Sequence, residues 1–333
     1  MTNGLRVGIV GCGLIGRKRA LALREQDSII GVFDSRLESA EALASELGCA
    51  SLDSVDALLA TEPDVVIVAT THDALATIGE QVMAHGCDVL LEKPGGRISK
   101  EIATLCSVAE ATGRLALVGF NHRYHLGVQR VLAEAASGEH GDVMFVRARY
   151  GHGGRIGYDR EWRADPYRSG GGELVDQGFH LIDLARCLMG ELPVASAFTS
   201  TAYWDMPVDD NAVVTLGTPG VGNGPFANLH ASCSEWKNLF DLEVYCRQAK
   251  LHLSGLQGSY GSQVLRIYRM KPEMGPPDVE TIEYPGEDHS WSLEWKAIAE
   301  SIRTRVATSG DLAAAGYCHR VADVAYGPVS WRE

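Results

Sequence analysis

The feature that most constrains the fold is Gly11-Cys12-Gly13-Leu14-Ile15-Gly16, which follows an apolar stretch at 5–10 and leads into a helical stretch running to Leu23. A G-x-G-x-x-G placed between strand and helix has a defined physical use. Gly11 permits a tight turn, Gly13 lets a pyrophosphate approach the backbone, and Gly16 lets the helix pack closely on the strand. Amides at the helix start, where Leu14 and Ile15 stand, then face the anion. The alternative is a glycine turn with no ligand.

A second strand, 29–33, ends at Asp34, 23 residues after Gly11. A carboxylate there accepts hydrogen bonds from ribose hydroxyls and repels a 2′-phosphate, which favours NAD. Ser35 and Arg36 follow, and Arg36 can pair with a 2′-phosphate, so NADP stays open. Helical stretches at 37–47 and 54–60 lead to a continuous apolar strand, 65–69, of the kind found in parallel sheets covered on both faces. The loop Thr70-Thr71-His72-Asp73 comes next, with Thr70 and His72 as cofactor-side candidates. A helix at 74–85 precedes the strand 89–91 and then Glu92-Lys93-Pro94. The C-terminal end of such a strand is where open α/β sheets bind ligands; the alternative for Glu92 and Lys93 is a surface ion pair in a turn. A helix at 100–112 and a strand at 115–120 complete the alternation of a doubly wound parallel sheet.

The second half reads differently. After a helix at 126–137, strands are expected at 143–150, 212–216, 226–232, 240–246, 250–254 and 263–270, with turn-rich connections and a loop-like 151–172. Helices return at 292–304 and 312–325. The expected organisation is a parallel α/β domain over 1–120 and, over 121–333, an α+β domain with a large, mostly antiparallel open sheet, its C-terminal helices packing back on the first.

Gly170-Gly171-Gly172 reads as a flexible entry to a helix running to about Met189. Asp176 and His180 are four residues apart and share a helix face, with Asp183 near it. An aspartate turned towards a histidine raises its basicity and holds it in place. The alternatives are a solvated i,i+4 pair or a core histidine with a carboxylate partner.

Three motifs in this order, the glycine loop, Glu92-Lys93-Pro94 and the Gly-Gly-Gly…Asp-x-Gly-x-His-x-x-Asp of residues 170–183, resemble the glucose–fructose oxidoreductase / inositol dehydrogenase / MocA family over nearly the whole chain. The resemblance implies a Rossmann domain joined to an α/β domain whose open sheet bears the substrate site and often serves oligomer contacts. It implies reversible oxidation of a sugar or cyclitol hydroxyl by NAD(P), in a homodimer or homotetramer. Lys93 matches the family's catalytic lysine, and Asp176 and His180 its aspartate and histidine. Neutral His180 is the candidate general base, since an imidazole titrates near 6.5. Lys93 would stabilise the developing alkoxide, and a lysine of lowered pKa could instead take the proton. Asp176 would orient the histidine or bind a neighbouring hydroxyl, and Glu92 would position Lys93 or the cofactor ribose. Asn121-His122-Arg123-Tyr124 resembles the family's segment at the domain junction, with Asn121 on the cofactor and Arg123 and Tyr124 on the substrate. The loop at 70–73 departs from the family's Thr-Pro-Asn type.

Six arginines between 147 and 168, against Asp159, Glu161 and Asp165, form a basic patch before the catalytic helix in a chain of net charge −13. Arginine forks suit phosphate or carboxylate, so Arg155 and Arg163 point to an anionic sugar such as a sugar nucleotide, sugar phosphate or uronate. The alternative has these arginines facing solvent or pairing with nearby acids. Trp162 and, beyond a later strand, Trp236 are ring-stacking and contact candidates. Two other functions use the same motifs: internal recycling of tightly bound NAD, as in an epimerase, sugar–sugar oxidoreductase or redox-assisted glycosidase, and a non-catalytic regulator.

The acidic balance disfavours general nucleic-acid binding, which needs a basic footprint. No apolar run reaches the roughly 20 residues of a membrane span, and no secretory signal is legible at the N-terminus. The eight cysteines form no Cys-x-x-Cys pair or zinc-type cluster, so reduced thiols, no metal and a cytoplasmic location are expected.

Overall fold

The computed structural model describes residues 4–220, 222, 224–307 and 310–332. The chain divides into two compact units, Met1–Phe120 with Trp291–Gly316, and Asn121–Ser290 with Tyr317–Glu333. The stretch 291–316 thus clusters with the first unit, and the last long helix, Leu312–Tyr326, begins in one unit and ends in the other.

The first unit is built on a six-stranded parallel sheet: β1 (Arg6–Val10), β2 (Ser28–Phe33), β3 (Ala50–Ser51), β4 (Val65–Val68), β5 (Asp88–Glu92) and β6 (Ala116–Gly119), in the order β3-β2-β1-β4-β5-β6. Every β4 and β5 residue is buried, as the unbroken apolar runs require of strands covered on both faces. Strand order reverses between β1 and β4, which makes their C-terminal ends the topological switch point. The helix Ser290–Thr304 sends Trp295, Ile298, Ala299 and Ile302 into the core cluster of Val7, Ile9 and Leu90. Trp295 Nε1 donates to Asp27 Oδ2 at 2.8 Å.

The second unit carries an eight-stranded sheet: β7 (Val143–Gly151), β8 (Val194–Ser200), β9 (Asn211–Leu216), β10 (Phe226–Ser232), β11 (Leu239–Cys246), β12 (Ala249–Ser254), β13 (Gln263–Arg269) and β14 (Asp278–Tyr284). The order is β14-β13-β12-β11-β7-β10-β9-β8, antiparallel except where β10 runs parallel to β7. Burial alternates along β11, β12 and β13, so one face is packed and the other half-exposed. The packed face carries the helices Leu126–Ala136 and Phe179–Met189. On the other face Phe145 stacks between Phe226 and Tyr245, with ring centroids 5.0 and 4.2 Å away.

The structure adds three strands that the sequence pattern did not show, the two-residue β3 and the longer β8 and β14. All three lie at sheet edges, and in β8 and β14 polar and charged residues interrupt the apolar alternation and guard against edge pairing. It also replaces the expected loop at 151–172 with three short helical turns, Tyr158–Arg160, Trp162–Ala164 and Pro166–Ser169. Asp165 caps the last by accepting from the Tyr167 N–H at 2.9 Å, with Pro166 at the first helical position. All eight cysteines are free thiols, five of them buried. Among the described residues, no helix is long and apolar enough to cross a membrane.

Candidate functional site

In the first unit the glycine loop has the steric properties its spacing implies. Gly11 has φ +94°, and a Cβ there would lie 2.4 Å from the Ala69 carbonyl oxygen. A Cβ on Gly16 would lie 1.8 Å from the Gly11 carbonyl oxygen, so only glycine permits this approach of helix and turn. Gly13, immediately before the helix Leu14–Leu21, has nothing within 4 Å of its added Cβ, which leaves its backbone open. Leu14 is exposed and Ile15 half-buried. This cradle fits a pyrophosphate: open backbone at a helix start, packed glycines beneath.

Asp34, just after β2, takes the backbone N–H of Cys12 on Oδ2 and that of Arg36 on Oδ1, both at 2.8 Å. The carboxylate is therefore fixed beside the glycine loop. Arg36 is exposed and its Nε lies 3.8 Å from Asp34 Oδ1, while Ser35 between them is exposed. Thr70 follows β4, with its hydroxyl donating to the Thr71 carbonyl at 3.1 Å. His72 is buried as the first residue of the helix His72–Ala84, not in a loop as its sequence context implied. The switch point thus gathers the glycine loop, Asp34 and Thr70.

Glu92 is held by an ion pair that the sequence did not show. Its carboxylate accepts from the buried Arg19, which also pairs with Glu294. Burial alone would lower the Arg19 pKa; Glu294 and Glu92 hold it above its ordinary value. The Trp291 ring covers the guanidinium at 4.5 Å. Glu92 therefore ties the end of β5 to the helix after the glycine loop. Lys93 follows, half-buried, and joins Pro94 through a cis peptide bond.

In the second unit the expected uniform helix begins instead with a π-helical turn, Leu174–Gly178, and becomes α-helical at Phe179–Met189. Such wide turns are frequent at functional sites. The glycines before it are not a flexible entry. A Cβ on Gly171 would lie 2.6 Å from the Tyr326 hydroxyl, and one on Gly172 2.0 Å from the Asp209 carbonyl oxygen. Asp209 accepts from the N–H groups of Gly172 and Leu174 at 3.0 and 2.9 Å and from Tyr326 at 2.6 Å, anchoring the segment.

Asp176 and Arg163 meet here, with Arg163 Nε donating to Asp176 Oδ2 at 3.0 Å. Asp176 holds the guanidinium pKa above its ordinary value. Arg163 also covers the Trp162 ring at 4.6 Å, which brings Trp162 to the same cluster. His180 is buried and stacked on His122, with centroids 3.7 Å apart and planes 25° from parallel. Tyr150 stands edge-on to both rings. Burial pushes the Tyr150 hydroxyl well above its ordinary pKa, so it stays a neutral donor.

The other expected site residues have partners within the chain. Asn121 donates from Nδ2 to Ser290 Oγ at 3.1 Å and faces His122 Nδ1 with Oδ1 at 3.2 Å. Arg123 is buried in a two-pronged ion pair with Asp183. Tyr124 is half-buried. Arg155 is exposed and pairs with Glu161 at 2.7 Å. Trp236 is 76% exposed and meets Tyr203 edge-on at 4.9 Å, and Tyr203 in turn meets Trp204, whose ring lies 5.7 Å from that of Tyr158.

Two residues missed in the sequence belong to this site. His122 lies 58 residues before its stacking partner, so no local pattern could pair them. Glu173 is 1% exposed and accepts from the Tyr158 hydroxyl at 2.8 Å. Burial, and then the nearby Asp176, push its carboxyl up to about 8. Its signal was an acid inside a glycine-led, otherwise apolar helix start. For a metal, Glu134, Glu139 and His140 offer ligand atoms within 4.8 Å of one another, but Arg130 already occupies Glu134.

Sequence comparison decides the family. Residues 5–120 match the profile described as "Oxidoreductase family, NAD-binding Rossmann fold", and residues 128–252 match the "GFO/IDH/MocA C-terminal domain".

The chain belongs to the GFO/IDH/MocA oxidoreductase family.

Among the family's curated members it is similar to the D-glucoside 3-dehydrogenase of Escherichia coli (strain K12), 31% identical over 57% of this chain and 55% of that protein. It is also similar to the UDP-N-acetylglucosamine 3-dehydrogenase of Acidithiobacillus ferrooxidans, 30% identical over 68% of this chain and 67% of that protein. The matches span from about half to two thirds of these relatives' length. A solved levoglucosan dehydrogenase, in complex with NADH and levoglucosan, shares the fold at a TM-score of 0.86 and 18% identity, covering 97% of this chain and 96% of that one.

Proposed function

We propose that this family member is an NAD-dependent dehydrogenase that moves a hydride between a nicotinamide cofactor and a secondary hydroxyl of a sugar or cyclitol. The observation that carries the reading is the sterically exact glycine cradle with Asp34 fixed beside it, in a chain whose second unit holds a buried histidine and an arginine-paired aspartate. Its relatives are named as dehydrogenases of glucosides, nucleotide sugars and inositol.

Gly11, Gly13 and Gly16, with the amides of Leu14 and Ile15, would hold the pyrophosphate, and Asp34 the adenosine ribose, favouring NAD over NADP. When bound, NAD supplies a hydride acceptor. The chain's own work is to bind the sugar and manage its hydroxyl proton. His180 takes that proton as general base. His122, stacked against it, fixes the ring plane. Lys93 supplies positive charge to the oxygen as it becomes an alkoxide. Asp176, held by Arg163, orients the histidine or a neighbouring hydroxyl. Residues 1–120 serve as the cofactor domain, and 121–333, apart from the helix that joins the first unit, as the substrate and oligomer domain. The reading extends to a cytoplasmic enzyme that assembles as a homodimer or homotetramer through the open sheet face around Phe145.

Three of the six arginines in the basic patch are engaged by acids of their own unit: Arg147 by Glu243, Arg155 by Glu161 and Arg163 by Asp176. That arrangement supports a sugar hydroxyl as the recognised group without requiring an anionic substituent.

The test is to denature the purified protein, identify any released nucleotide, and then assay Lys93→Ala and His180→Ala. Each should lose about 10²–10⁴-fold in kcat with cofactor binding retained. Near-normal turnover in both would refute the assignment. Stoichiometric NAD that survives dialysis would instead favour internal redox recycling.

A further inference from the structure

Two carboxyl groups share the start of the π-helical segment, and their surroundings differ. Asp176 is half-buried and receives the Nε–H of Arg163 at 3.0 Å. Glu173 is buried among a phenol, a thiol and an imidazole. The Tyr158 hydroxyl donates to Oε1 at 2.8 Å, Cys233 faces the same carboxyl, and His152 Nε2 lies 3.7 Å away. The Gly154 N–H donates to His152 Nδ1 at 2.9 Å. A neutral His152 therefore carries its proton on Nε2, the nitrogen that faces Glu173.

Negative charge meets Glu173 from its own segment and from one further element. Asp209, whose backbone carbonyl accepts the Glu173 N–H at 2.9 Å, adds to Asp176. The phenols of Tyr150 and Tyr260, kept neutral by burial, also lie within reach of its charge. The guanidinium in the cluster thus sits on Asp176 and not on Glu173. Two neighbouring carboxyls in such unequal settings do not ionise together at low cost; the one with the cation ionises first.

We propose that Glu173 is a positioning residue that holds a proton while Asp176 carries the charge, and that losing this proton turns the site off by setting a second carboxylate beside Asp176. The proposal rests on the dehydrogenase reading given above. On ionisation the proton leaves to bulk water past the partly exposed His152. The new carboxylate then competes with Asp176 for Arg163. Because burial holds the Glu173 carboxyl up to about 8, this sets the alkaline limit of activity.

The experiment compares the pH profile of kcat/KM for wild type and Glu173→Gln in the full-length protein, with NAD and an oxidised sugar. The amide still accepts from Tyr158 but never ionises. Wild type should fall about tenfold per pH unit above the midpoint, while the variant should hold its rate at least one unit further. Identical alkaline limbs would overturn the proposal. A second measurement needs neither turnover nor a variant: carbon NMR of wild type labelled selectively at glutamate carboxyls, which leaves Asp209 silent. One glutamate signal should titrate far above the ordinary carboxylate range. If every signal titrates in that range, the proposal fails. Absence of turnover with every sugar would refute the dehydrogenase reading instead, and the titration would still decide whether Glu173 holds its proton.

Discussion

Arg163 Nε donates to Asp176 Oδ2 at 3.0 Å, and the two side chains come from separate elements, a short turn after β7 and the π-helical turn. The guanidinium therefore acts on the site through Asp176. Arg163→Ala should lower kcat/KM by about tenfold to a hundredfold for neutral and anionic sugars alike, and Arg163→Lys should restore part of it. Steady-state kinetics on both classes checks this. A loss confined to the KM of anionic sugars would assign Arg163 to substrate charge instead.

The glycine loop separates folding from binding. Gly16→Ala places a methyl 1.8 Å from the Gly11 carbonyl oxygen, and should destabilise the first unit severely, seen as a large fall in Tm or loss of soluble protein. Gly13→Ala meets nothing within 4 Å. It should keep nearly the wild-type Tm yet weaken NAD binding by at least about tenfold, measured by calorimetry. Unchanged affinity in Gly13→Ala would remove this loop from the cofactor site.

Arg19 stands between Glu92 and Glu294 with 2% of its side chain exposed. Arg19→Met would leave two carboxylates buried without their cation, a change that costs about 3–5 kcal/mol. Urea unfolding should show that loss. Adding Glu92→Gln and Glu294→Gln should recover part of it, and a near-neutral single substitution would show that the triad adds little.

Glu173 also links stability to pH. Its folded pKa is raised from 4.5 to about 8, so between these values the folded chain binds more protons than the unfolded one. Stability then falls as pH rises, by at most about 1.4 kcal/mol per unit from this group. Denaturant unfolding across that range should show a shallower decline in Glu173→Gln. Parallel curves would indicate an ordinary carboxyl.

The first unit was largely legible because its signals are local. A buried parallel strand is an apolar run, and Gly11, Gly16 and Asp34 act within one βαβ span. The edge strands β8 and β14 were hidden because edge residues must resist pairing rather than fill a core. The roles of His122, Arg123 and Glu92 were hidden for another reason. Each depends on a partner more than 50 residues away, His180, Asp183 and Arg19 respectively, and pattern carries no such pairing. The glycines at 170–172 illustrate the same gap: flexible by composition, they are fixed by Asp209 and Tyr326.

The most direct test of the dehydrogenase reading is to incubate the full-length protein with NAD and a panel of glucosides, cyclitols and nucleotide sugars, and to follow nicotinamide reduction together with ketone formation. The account predicts equal amounts of NADH and keto product with at least one member of the panel, abolished in His180→Ala. No reduction with any sugar, from protein shown to bind NAD, would contradict it.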